Sequence, residues 1–286
     1  MFKVIMSCNT LVYIPAHNNL KYFFPIIFLI TKMMSIQMHY LVIGGWLVDF
    51  LKSLPIHRIG LARLKMIYPE TRIMSDRLKT EFQINNVIQL HNFRMNTHLS
   101  KPCKIIEDDE LKLVFMARVQ PMKGVDTIFK LSNRLKELTD LKVSIDIYGQ
   151  IQEDYKDSFY RALIQYNFVT YKGSLDPDNI NETLMNYNLM LFPTKYFTEG
   201  FPGSILDAYH AGVPVIATRW KYADEFIEDN ISGVITEFNN DDDFVQHTIE
   251  LLIDANKIKL LKKGANEAAK KYSTEAAWEI LKKQLF

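Results

Sequence analysis

Between residues 111 and 236 the chain alternates short apolar runs of strand length with longer stretches of helical spacing. No other feature constrains the fold as much. LKLVFMA (111–117) is a compact apolar run, and GVDTIFKLSNRLKEL after it places Val125, Ile128, Leu131, Leu135 and Leu138 on one helical face. KVSIDIYG (142–149) then sets Val143, Ile145 and Ile147 on one side of a strand that ends in Gly149. FVTYKG, LMLFP, VPVIAT and GVIT continue the series, each separated from the next by a segment able to form a helix. Such alternation predicts an α/β protein with a parallel sheet and helices on both faces.

The N-terminal third carries the same pattern more weakly. LVYIPA and YLVIGGW read as buried strands flanking a helical segment, and RIMS and VIQL as further short strands. The most apolar stretch, YFFPIIFLITKMM, is interrupted by Pro25 and Lys32. It falls short of the about 20 apolar residues that span a bilayer. It reads as a buried helix packed on the sheet, with docking on a membrane surface as the other reading. Residues 91–110 are polar, aperiodic and contain Pro102, which makes them the best linker candidate. The expected organisation is a short N-terminal Rossmann-like domain (1–95), a C-terminal Rossmann-like domain (96–270) and a tail helix (271–286).

Composition narrows the function classes. At 286 residues and 48% apolar content, the chain is long enough for one large or two ordinary domains, each able to bury its own core. A net charge of +1 offers no whole-chain argument for nucleic acid. Cys8 and Cys103 stand far apart without a partner motif, as expected of reduced thiols in a cytoplasmic protein. MFKVIMSCNT lacks the basic and apolar regions of a secretory signal.

Chemistry concentrates in EGFPGSILDAYHAGVPVIAT (199–218). Glu199 lies in the loop leaving the strand LMLF, and the carboxyl edge of a parallel sheet is where ligands bind. Gly200, Phe201, Pro202 and Gly203 form a tight turn whose glycines let backbone approach a ligand closely. SILDAYHA opens a helix at Ser204, whose free N–H groups and dipole favour an anion. Asp207 sits one turn further in. Two carboxylates flanking a phosphate-friendly helix start suit a ligand with diols at both ends and phosphate between, as in a sugar nucleotide.

These residues resemble the Glu-x7-Glu segment of retaining glycosyltransferases of family 4, which have the GT-B fold of two Rossmann-like domains. MARVQPMKGVD resembles the family's Arg-x4-Lys-Gly element through Arg118, Lys123 and Gly124. IYG (147–149) and NISGVITE (230–237) fall in the family's order and spacing, so the resemblance covers 85–275 strongly and the first third loosely. It implies that Arg118 and Lys123 bind the donor diphosphate and stabilise charge on the leaving nucleotide, a sound use of fixed cations. It also implies that Glu199 holds hydroxyls of the transferred sugar. Asp207 would grip the ribose diol from the second acidic position, where the family has Glu; Asp is one methylene, about 1.5 Å, shorter. The implied partners are a nucleoside-diphosphate sugar and a glycan or lipid-linked acceptor in surface polysaccharide assembly, at the cytoplasmic side of a membrane.

Bland readings stand beside these. Arg118 and Lys123 alone are surface charges, Glu199 alone a turn cap, and Asp207 an acid favoured by the helix dipole. Asp176-Pro177-Asp178 imitates a metal-binding Asp-x-Asp, but its central proline makes it a turn, and 241–243 reads as a solvated helix start. No histidine pair has ligand spacing on a helix, so neither a catalytic metal nor another cofactor is expected. His17 follows a strand and suits a cleft or a structural role equally, and His210 suits packing. Where family members carry a cleft histidine, this chain has Gly44, Gly45 and Trp46, so that role does not transfer. The N-terminal domain is short for its family and leaves a sheet incomplete, with an edge that a partner chain or an oligomer would cover. The rival functions are a non-catalytic or split sugar-nucleotide-binding remnant and, last, a GT-B epimerase, for which no acid–base pair is evident.

Overall fold

The computed structural model describes residues 8–94, 110–137 and 141–285. Leu138, Cys103 and most of the expected linker lie outside them. The chain divides into two compact units. The first comprises residues 1–93, 198–201 and 274–286, and the second 94–197 and 202–273. The final helix therefore belongs with the first unit, and so does a four-residue piece of the Glu199 loop.

The first unit contains β1 (Thr10–Tyr13), α1 (His17–Met33), β2 (Gln37–Leu41), α2 (Leu47–Lys52), α3 (Pro55–Leu61), β3 (Met66–Tyr68) and α4 (Arg72–Phe82). Its sheet runs β1-β2-β3 with all strands parallel, and among the described residues β1 is an edge. Two sequence expectations need correction here. RIMS (72–75) opens α4 rather than forming a strand. Thr71 caps that helix by accepting the Met74 N–H at 3.1 Å, and Met74 and Leu78, four apart, supply its buried face. VIQL keeps a single bridge, from Val87 to Ile67.

The apolar stretch around Pro25 forms one continuous helix. A mid-helix proline removes an N–H and costs about 3 kcal/mol. Here it leaves the Lys21 carbonyl without its usual donor, and His57 of α3 places Nε2 3.1 Å from that oxygen. A bond of this kind returns about 1 kcal/mol. The reading of α1 as a buried helix holds for only one face. Leu20, Phe24, Ile27 and Thr31 are buried, while Tyr22, Ile26, Leu29 and Met33 are exposed.

The second unit contains β4 (Leu111–Met116), α5 (Val125–Leu135), β5 (Val143–Tyr148), α6 (Lys156–Leu163), β6 (Val169–Tyr171), α7 (Ile180–Leu184), β7 (Leu189–Phe192), α8 (Gly203–His210), β8 (Val215–Thr218), α9 (Ala223–Phe226), β9 (Gly233–Thr236), α10 (Asp241–Ile253) and α11 (Ala255–Lys270). The helix α12 (Thr274–Leu285) closes the chain and packs Ala277 with Tyr68 and Leu90 of the first unit. All six strands of the second sheet are parallel, in the order β6-β5-β4-β7-β8-β9. The four residues of β7, β8 and β9 are buried throughout, as expected for a sheet covered on both faces. The order reverses between β4 and β7, and that switch point is where an open α/β sheet opens a crevice for a ligand.

Candidate functional site

Both elements singled out in the second unit leave the sheet at this switch point. After β4 the chain passes through Ala117 and the exposed Arg118, turns through a short 3-10 helix (Pro121–Lys123) and enters α5. Gly124 joins the two with φ +78°, a conformation that costs glycine little. A Cβ there would overlap the carbonyl of Pro193, the residue following β7. Gly149, after β5, has φ +138°, and a Cβ on it would overlap the Ala117 carbonyl. Two glycines thus allow the loops after β4, β5 and β7 to lie backbone against backbone. Lys123 is half-buried in this arrangement, with its ammonium 5.9 Å from the centre of the Tyr196 ring. The Met122 carbonyl accepts from Lys195 N at 3.0 Å, which ties the Arg118–Lys123 loop to the segment following β7.

Helix α8 begins at Gly203 with Pro202 at its N-cap and no side-chain cap. Ile205 and Leu206 both donate back to the Pro202 carbonyl. Among the described residues, the N–H groups of Gly203 and Ser204 find no backbone acceptor. Asp207 is buried on this helix, and its carboxylate takes Nε and Nη2 of Arg94 at 2.8 and 3.4 Å. The same guanidinium lies over the first turn, where a Cβ on Gly203 would meet Nη2. A cation and open N–H groups therefore share one helix start, a combination suited to an anion. A carboxylate offers about four acceptor positions, so an arginine fork leaves Asp207 able to accept further hydroxyls. His210, at the far end of α8, is buried, and burial pushes its imidazole pKa down.

Residues 198–201 group with the first unit, and one buried acid shows why. Glu70 follows β3 at the carboxyl edge of the first sheet and is 6% exposed. Its Oε2 accepts the N–H of Gly44, which follows β2, and the N–H of Phe201, each at 3.1 Å. Gly200 lies so close that a Cβ would overlap Glu70 Oε2 and crowd the Cα of Gly44. The glycines of IGGW and EGFPG thus serve close backbone packing around one carboxyl group. Burial is the largest influence on Glu70 and raises its pKa; the two N–H donors pull it down, and the charge of Glu199 raises it further. His17, the other N-terminal candidate, packs edge-on against Trp46 and Phe50, with centroids 5.0 and 4.9 Å away.

The structure therefore gathers Arg118, Lys123, Gly124 and Gly149 at one switch point, and Gly203, Ser204 and Asp207 on α8. Glu199, Gly200 and Phe201 fall with the first unit. Sequence reasoning missed Glu70 and Arg94. MIY (66–68), the strand that Glu70 follows, was not among the expected strands, so no sequence signal pointed to Glu70. Arg94 lay inside a segment read as linker. Among the described residues no cluster of three side chains could hold a metal ion, and no helix is long and apolar enough to cross a membrane.

The architecture is α/β with parallel sheets, the fold of the GT-B glycosyltransferases. The solved structure of TarM superposes over 96% of this chain and 54% of its own, with a TM-score of 0.76 at 19% identity. Anabaena HepE in complex with UDP superposes over 99% of this chain and 80% of its own, with a TM-score of 0.79 at 13% identity. The model of the family described as glycosyl transferases group 1 matches residues 100–271, and the chain belongs to that family. Among curated relatives, the Staphylococcus aureus capsular polysaccharide biosynthesis glycosyltransferase CapM is 25% identical over 70% of this chain and 52% of its own length. The poly(ribitol-phosphate) alpha-N-acetylglucosaminyltransferase of Staphylococcus aureus is 24% identical over 70% of this chain and 39% of its own length. The chain spans about half the length of such relatives.

Proposed function

We propose that this chain carries the donor site of a retaining, family 4 hexosyltransferase. The enzyme moves a hexose from a nucleoside-diphosphate sugar to a glycan or lipid-linked acceptor during surface polysaccharide biosynthesis. The carrying observation is the switch point, where Gly124 and Gly149 bring three loops together beside Arg118 and Lys123. In this reading the two cations hold the diphosphate and stabilise charge on the departing nucleotide, so no metal or other cofactor is required. The open N–H groups of α8 take phosphate oxygens, Asp207 accepts from the ribose, and Glu199 from the sugar. A phosphate oxygen of the leaving group takes the acceptor's proton on the face it leaves, which retains the anomeric configuration.

Support for the setting comes from the relatives. CapM is named for capsular polysaccharide, and a more distant one is an alpha-galactosylglucosyldiacylglycerol synthase, whose name describes a glycolipid. HepE was solved with UDP, which makes uracil the first base to try. The same reading places the protein in the cytoplasm, in peripheral contact with the inner face of the membrane. Calorimetric titration with a panel of nucleotide sugars, followed by hydrolysis and transfer assays on those that bind, tests it. Absence of binding to any nucleoside diphosphate sinks it.

A second reading rests on β1, the edge of a three-stranded parallel sheet. Such an edge pairs readily with another strand, so the acceptor side is completed by a partner chain or a second copy. The chain alone then binds donor without transferring it, and transfer that appears only when an added chain is present is its signature.

A further inference from the structure

The second apolar stripe of α1 faces away from the core. Tyr22, Ile26, Leu29 and Met33 recur at the helical spacing of i, i+4, i+7 and i+11, and each is 57–79% exposed. The inward stripe, Leu20, Phe24, Ile27 and Thr31, already provides the packing that α1 needs. Helix α3 lies beside it, with the His57 ring stacked 5.8 Å from Phe24, and adds Ile56 and Ile59, 73% and 55% exposed. A helix that is apolar on two faces lacks a partner on one of them.

Charge identifies that partner. Apart from Asp49, residues 1–69 contain no Asp or Glu, although the chain as a whole balances to +1. Lys21 and Lys32 stand at opposite ends of α1 on the flank between its two stripes. On the same unit a cavity of about 430 Å³ is lined by Phe28, Lys32, Ser35, Met38, Arg63 and Lys65. Three cations, a hydroxyl and apolar walls suit a phosphate joined to an aliphatic chain. A second copy of this chain is a poor match, since a twofold interface would set the same cations against themselves. An anionic bilayer satisfies both the apolar stripe and the cations.

We infer that the α1–α3 face docks on an anionic phospholipid surface. The outer stripe enters the boundary between headgroups and acyl chains, and a lipid phosphate occupies the Lys32–Arg63–Lys65 cavity. This deepens the membrane-contact part of the proposed function but is independent of the transfer chemistry. Docking here would keep the protein beside a lipid-linked acceptor.

Co-sedimentation of the full chain with phosphatidylcholine vesicles, with and without phosphatidylglycerol, tests the inference, because it needs neither donor nor acceptor. The expected result is binding to the phosphatidylglycerol vesicles that declines as salt is raised. Each basic residue near an anionic surface is worth about fivefold in affinity. Replacing Lys32, Arg63 and Lys65 together with Gln should therefore weaken binding about a hundredfold. Leu29→Ser with Met33→Ser should weaken it at every salt concentration. All five side chains are exposed, so circular dichroism should show the variants folded. Equal sedimentation with neutral vesicles, or none with anionic ones, overturns the inference. A concentration-dependent dimer that the Leu29→Ser, Met33→Ser variant abolishes also overturns it, by assigning the face to a second copy.

Discussion

Glu70→Ala removes the acceptor shared by Gly44 N and Phe201 N. The Phe201 bond is buried, and a buried donor without a partner costs about 1 to 3 kcal/mol. The Gly44 bond is only partly buried and regains some water, so the total loss is about 2 to 4 kcal/mol. For a protein of this size that corresponds to a melting temperature lower by about 5 to 10 °C. Amide hydrogen exchange localises the effect, because the Phe201 N–H loses its Glu70 acceptor. Glu70→Gln keeps an acceptor oxygen and should preserve the loop. It also separates shape from charge. Glu70 is raised above its ordinary pKa by burial first, so the folded protein holds this proton more tightly than the unfolded chain. The resulting stabilisation is complete below the ordinary glutamate value of about 4.3 and is lost as pH rises through the raised value. Glu70→Gln should therefore match the parent protein in acid and become the more stable of the two as pH rises. A stability difference between them that does not change with pH, or unaltered exchange at Phe201 in Glu70→Ala, would refute the reasoning.

Three further outcomes follow from the same geometry. Gly124→Ala places a side chain at φ +78° on top of the Pro193 carbonyl, so it should destabilise the second unit beyond the about 1 kcal/mol of ordinary left-handed strain. Thermal melting should show the loss, and an unchanged melting temperature would mean that the loops can separate freely. Glu199→Gln should weaken the intact sugar nucleotide more than the free nucleotide in calorimetry, whereas Asp207→Asn should weaken both alike and loosen Arg94. Equal losses for Glu199→Gln would place that side chain away from the sugar. Turnover should be slow without an added chain if a partner completes the acceptor side, because proximity supplies about 7 to 11 kcal/mol of such barriers. Rapid transfer by this chain alone would refute the partner reading.

Much of the second unit was legible in the sequence because its signals are local. Six apolar runs separated by helical periods became six parallel strands, and the Gly-rich turns fell at the strand ends where backbone packs on backbone. The first unit was less legible, since tertiary context overrode local propensity in two of its four expected strands: RIMS opens a helix and VIQL keeps a single bridge. RIMS looked like a strand because nothing in four residues reveals a cap at Thr71. The helix around Pro25 was expected, but the group that compensates its proline, His57, lies 32 positions further on and was not foreseen. Glu70 and Arg94 were missed for the same reason. Their partners, Phe201 and Asp207, stand more than a hundred residues away, and the sequence alone gives no sign of such pairings.

Calorimetric titration of a nucleoside diphosphate into the parent protein and into the Arg118→Ala and Lys123→Ala variants tests the donor site most directly. Each substitution should weaken binding by about 1.5 to 3 kcal/mol, the worth of a hydrogen bond to a charged group, and leave the melting temperature nearly unchanged. Diphosphate affinity that survives intact in both variants would contradict the assignment of the switch point as the donor site.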